Sequence, residues 1–132
     1  MLFSDSDRMF LEDFHNRKLA RFGHQDHLHL AWLILKNHTL DEGLGLIGNA
    51  IREFAKDQGA ANRYHETLTS FWGRIIAHAI ETHLEIDDFQ VFLEQFPFLL
   101  DKQLALRHWS ESLLWSDQSR SNWTPPDLRP LP

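Results

Sequence analysis

The stretch Leu28-His29-Leu30-Ala31-Trp32-Leu33-Ile34-Leu35 is apolar at all but one position, and it restricts the fold more than any other part of the chain. A segment with no polar side has to be buried on most sides, so the remaining elements must surround it. Periodicity alone allows a buried strand or a buried helix here. Asp26, an N-cap residue type, stands just before the run, and the pattern extends to Asn37-His38. Both favour a central helix. The longest uninterrupted apolar part, Leu30 to Leu35, is far too short to cross a bilayer.

The flanking segments supply what must surround it. Ser4-Asp5-Ser6-Asp7 offers a cap and first-turn acids, and Met9, Phe10, Phe14 and Leu19 share a face. This predicts a first helix over about 5–20, with Gly23 as a break. Thr39-Leu40-Asp41-Glu42 reads as a capping box for a third helix carrying Leu44, Ile47, Ile51 and Phe54. Gly43, Gly45 and Gly48 each weaken that helix by roughly 1 kcal/mol relative to Ala if exposed. They fit better where another helix comes close. Gly59 is the expected stop.

A fourth helix is expected from about Asn62 to His83, with Leu68, Phe71, Trp72, Ile75, Ile76, Ala79 and Ile80 as its apolar stripe. Trp32 and Trp72 both read as core. Asp87-Asp88 caps a short fifth helix, which Pro97 interrupts. Residues 99–109 and 111–115 allow one or two more. No alternating strand pattern, repeat or linker is visible. The expected fold is all-α: a single-domain bundle of five or six helices over 1–118, with a Pro-rich tail, 119–132, packed against the same domain. Four prolines in the last eight residues make that tail non-helical. Exposed, it would dock an aromatic groove on a partner. The alternation of prolines with Leu128 and Leu131 favours packing.

Composition narrows the function classes. With 132 residues the chain suffices for one core. A net charge of -6 argues against nucleic acid and against an anionic membrane surface as partners. The absence of Cys removes disulfides, thiolate nucleophiles and Cys-based metal sites. Met1 to Asp7 lacks the pattern of a signal peptide, so a cytoplasmic location is expected. Nine His, ten Phe and five Trp are an unusual stock of imidazole and aromatic rings.

Two polar, His-bearing stretches precede apolar helices: Phe22-Gly23-His24-Gln25-Asp26-His27 and Arg63-Tyr64-His65-Glu66-Thr67-Leu68-Thr69. Packing logic places them at one shared pocket between the second and fourth helices. In one reading His24, His27 and His65 bind a divalent metal (Zn, Fe, Ni or Mn) and leave an open coordination position. Asp26, Glu66, Thr67 and Thr69 would orient the rings. Against it, H-x-x-H alone is weak, no two His are four apart, and H-E-x-x-H is absent. In the metal-free reading His65 is a general acid or base, Glu66 or Asp26 orients it, and Tyr64 donates a hydrogen bond to a ligand. Arg63 is then either an anion clamp or a solvated charge. A di-iron bundle needs two Glu-x-x-His pairs, and Glu12-x-x-His15 is alone. His29, His38, His83 and His108 read as surface or partly buried. The rival class is a non-catalytic module that binds a partner protein or itself, with its His residues serving caps.

The segments Phe22-Gly23-His24-Gln25-Asp26-His27-Leu28, Tyr64-His65-Glu66-Thr67-Leu68-Thr69 and Pro126-Asp127-Leu128-Arg129-Pro130-Leu131-Pro132 resemble those of an uncharacterised family of small bacterial helical proteins. That family shares F-x-H-x-x-H-L, Y-H-E-T-x-T and a C-terminal P-D-L-x-P-L-P, and has no established activity. The resemblance covers roughly residues 20–132. It implies that the three segments, tail included, belong to one unit.

Overall fold

The computed structural model describes residues 3–132. Seven α-helices make up the chain among the described residues, rather than the five or six expected. They are α1 Asp5–His15, α2 His24–Leu35, α3 Leu40–Asp57, α4 Glu66–Thr82, α5 Phe89–Gln95, α6 Glu111–Leu114 and α7 Asp117–Ser121. Three 3₁₀ turns join them, at Ala61–Arg63, Pro97–Leu100 and Leu104–Arg107. No strand occurs among the described residues, and no helix there is long and apolar enough to cross a membrane.

The apolar run does form the central helix. Leu28, Trp32 and Leu33 are almost wholly inaccessible, and α2 packs chiefly on α3 and α4. It begins two residues before the expected cap. Gly23 is the N-cap, and Asp26, at the third helical position, accepts a hydrogen bond from the Gly23 N–H at 3.0 Å. His24 and His27 therefore share the first turn of α2, three apart on one face.

The first helix is shorter than predicted, ending at His15 instead of near Ala20. Arg17 takes a left-handed conformation, with φ of 57°. Its guanidinium donates to the Phe14 carbonyl and to Asp57, and lies over the Phe14 and Phe54 rings. These contacts, two of them with the distant Asp57 and Phe54, offset the backbone cost of positive φ in a residue with a Cβ.

Two of the three α3 glycines mark close approaches. A Cβ at Gly43 would sit 2.5 Å from Leu35 Cδ2, and one at Gly48 would sit 3.2 Å from the Tyr64 hydroxyl. Gly45 faces open space. Gly59, with φ of +68°, follows the end of α3 in the conformation that favours glycine.

The fourth helix starts at Glu66, not Asn62, because Tyr64 is extended and His65 is the N-cap. Phe71, Ile75, Ile76, Ala79 and Ile80 are buried along it, whereas Trp72 is only half-buried.

The C-terminal third wraps α4. Thr67, fully buried, donates to the Asn122 carbonyl at 2.8 Å and accepts from the Thr124 N–H at 3.1 Å. Trp109 Nε1 donates to the Thr124 carbonyl, and the Leu128 N–H donates to the His108 carbonyl. Trp123 lies beneath the Arg74 guanidinium, 4.3 Å from its ring centre. The helix α7 runs across the expected boundary near residue 118.

Candidate functional site: a cleft walled by three imidazoles

A cleft of about 350 Å³ opens between the first turn of α2, the middle of α3 and the start of α4. Its floor is apolar: Ala31, Ile47, Ile51 and Leu68, with Phe22 and Trp72 as aromatic walls. His24, His27, Tyr64 and His65 line it, as do Arg63, Thr69 and Lys102. Glu66 does not.

The three imidazoles have identifiable contacts that hold them in place. His65 caps α4 with its ring. Its Nδ1 accepts the Leu68 N–H at 3.1 Å, and its Nε2–H donates to the Leu114 carbonyl at 2.7 Å. Accepting at Nδ1 requires the proton at Nε2, so the tautomer is fixed and both nitrogens are committed. His24 Nε2 donates to the Leu99 carbonyl at 2.8 Å, and the ring meets Trp72 edge-on. The His27 ring leans on Phe22, with centroids 4.3 Å apart. Among the described residues neither His27 nitrogen has a hydrogen-bond partner.

The three imidazoles are held neutral. Burial lowers the pKa of His27 to about 4, the adjacent His24 adds to this, and Asp26 offsets part of it. Burial likewise lowers His24, partly offset by the Leu99 carbonyl and reinforced by Lys102. It lowers His65 too, against the Leu114 carbonyl and with help from Arg120. Tyr64 moves the other way: burial, then the Glu66 hydrogen bond and charge, push its phenol above the ordinary range. Its hydroxyl donates to Glu66 Oε1 at 2.6 Å, and Arg52 Nη1 reaches the same oxygen at 3.1 Å.

This geometry differs from the arrangements drawn from sequence. The groups that orient His65 are the Leu68 amide and the Leu114 carbonyl, not Glu66 or Asp26. The Tyr64 proton goes to Glu66 and not toward the cleft. Among the described residues no group of three or more His, Cys, Asp or Glu is gathered that could hold a metal ion. Thr67 bonds the tail, as above.

Trp72, read as core from its spacing, is a cleft wall. The sequence did hold a sign of this, because Trp72 follows Leu68 by one helical turn on the face that His65 begins. Lys102 carried no such sign.

A larger depression, of about 440 Å³, lies between the start of α1 and α5, but its walls are mostly polar. The one imidazole there, His29, is bonded to Asp7 at 2.9 Å and stacked between Phe10 and Phe89. That ring joins three helices and has little left to offer a ligand.

Fold and site together define a small all-helical domain with one imidazole-walled, apolar-floored cleft. Neither a protein-family model nor a curated protein nor a solved structure matches the chain.

Proposed function

We propose that this protein binds a small organic molecule in the cleft between α2, α3 and α4, with the neutral His27 imidazole as its main hydrogen-bonding group. The observation that carries the reading is His27. His27 is a partly exposed imidazole on the cleft wall, stacked on Phe22, and among the described residues no protein group competes with a guest for its two nitrogens. An apolar pocket with a few converging polar groups is the usual form of a small-molecule site. Proton transfer at neutral pH has less behind it, since an imidazole with a pKa near 4 is a weak base.

The test is a ligand-observed NMR screen, with hits confirmed through the His24 and His27 ring resonances and repeated on His27→Ala. Hits that perturb those rings and weaken in the variant support the reading. Hits that bind elsewhere, or bind His27→Ala unchanged, remove it. Elemental analysis of tag-free protein belongs beside the screen. Stoichiometric metal that is lost in His24→Ala and His27→Ala would replace this reading with a metal site.

The interaction-module reading has one observation in its favour. Leu40 and Leu84 are exposed beside a groove floored by Leu35, Ala77 and Ile80. Sedimentation velocity decides it: a dimer dispersed by Leu84→Glu favours self-association.

A further inference from the structure

Building on the binding reading above, we propose that the ligand is a small organic anion, an apolar body ending in a carboxylate, with the carboxylate held at the rim by Arg63 and Lys102. These two are the charged side chains that line the cleft among the described residues, and both are cations. Both are exposed, and neither has an ion pair or side-chain hydrogen bond among the described residues. In a chain with 19 acidic residues and a net charge of -6, a cleft without a carboxylate is set apart from the rest of the surface.

The nearby acids are engaged elsewhere. Asp26 accepts from the Gly23 amide. Glu66 is turned to Tyr64 and Arg52 on the far side of the tyrosine ring. Asp101, next to Lys102, accepts from the Gln103 amide and faces Arg107. Neither Arg63 nor Lys102 is paired with any of them, although Asp101 and Asp26 lie near enough to His24 and His27 to favour their protonation. Lys102 also lies near enough to His24 to oppose its protonation, which places its positive charge at the cleft.

The remaining walls set the rest of the ligand. Phe22, Ile47, Leu68 and Trp72 favour hydrocarbon or an aromatic ring, and they gain nothing from a bare oxyanion. A volume of about 350 Å³ is at the small end of ligand sites, so the body is one ring or a short chain. His27 offers a hydrogen bond to a polar atom between body and carboxylate.

The experiment is calorimetric titration with phenylacetate, phenylacetamide, phenethylamine and inorganic phosphate, on the wild-type chain and on Arg63→Gln/Lys102→Gln. Both substitutions are at exposed positions and leave the core intact. Phenylacetate should bind about tenfold more tightly than its amide, the worth of a charge-assisted pair at a partly solvated rim. In the double variant that preference should vanish while the amide binds as before. Added salt should weaken the acid and spare the amide. Phenethylamine and phosphate should bind far more weakly than phenylacetate. If the amide or the amine binds as tightly as the acid, or the acid preference survives the double substitution, the anion inference is wrong and the cleft reading stands; if phosphate binds as tightly as the acid, the apolar body is wrong and the rim holds bare anions only. If neither acid nor amide binds at millimolar concentration, the anion inference is refuted, and the outcome of the NMR screen alone decides the cleft reading.

Discussion

Replacing His65 by Ala removes two backbone partners at once, and the cost can be worked from the structure. The lost cap on α4 is worth about 1 kcal/mol. The Leu114 carbonyl belongs to a residue only 1 % exposed, and without its donor it costs a further 1–3 kcal/mol or so. His65→Ala should therefore destabilise by about 3 kcal/mol. In a domain of this size that lowers the melting temperature by roughly 10 °C. Asn at the same position caps well but does not reproduce the bond to Leu114, so His65→Asn should recover about 1 kcal/mol. Urea titrations followed by circular dichroism give both values. A loss below about 1 kcal/mol for Ala, or an Asn variant no better than Ala, would refute the assignment of His65 as the joint between α4 and α6.

The other predictions concern charge and the tail. Unfolded His27 takes its proton near 6.5 and folded His27 near 4, so between those values the unfolded chain binds more protons and acidification destabilises. Stability should be full above pH 6.5 and fall by about 3 kcal/mol toward pH 4 from this residue alone, with His24 and His65 adding in the same direction. His27→Gln should flatten the profile in melts at graded pH. Tyr64 is the single tyrosine, so phenolate absorbance reports it directly. Glu66→Gln should bring its ionisation down toward the ordinary value of 10.0. Gly48→Ala should also disturb the Tyr64–Glu66 bond, because the added Cβ meets the hydroxyl at 3.2 Å, and the same titration would show it. Thr67→Val should cost about 2 kcal/mol by unpairing the buried Thr124 amide and leaving the Asn122 carbonyl only the longer bond from the Thr124 hydroxyl, and limited proteolysis should then cut near residue 122.

What could be read from sequence was what short-range chemistry decides. The burial of α2, the Thr39 cap of α3 and the Asp88 cap of α5 follow from residues within a turn of each other. The end of α1 does not, because Arg17 is held in its left-handed state by Asp57 and Phe54, far along the chain. The start of α4 falls later than the sequence predicts for a related reason: His65 is a cap anchored by Leu114, and no local pattern shows that carbonyl. In the site, sequence adjacency suggests Glu66, with Asp26 as the alternative, as the group that orients His65. Successive residues at a helix start diverge by about a quarter turn, and Glu66 faces Arg52 instead. Lys102 lies between two 3₁₀ turns with no periodicity, so its place at the rim had no sequence correlate.

The hydrogen bonds between Thr67 and residues 122–124 also bear on the order in which the molecule is completed. During synthesis the α2–α3–α4 core emerges well before its last partners. Without residues 122–124 the Thr67 hydroxyl would lose both its protein acceptor and its protein donor, and the Trp109 indole N–H would lose the Thr124 carbonyl. A chain shortened to residues 1–118 would leave these groups on one flank of α4 to water, and it should be less stable than the whole chain.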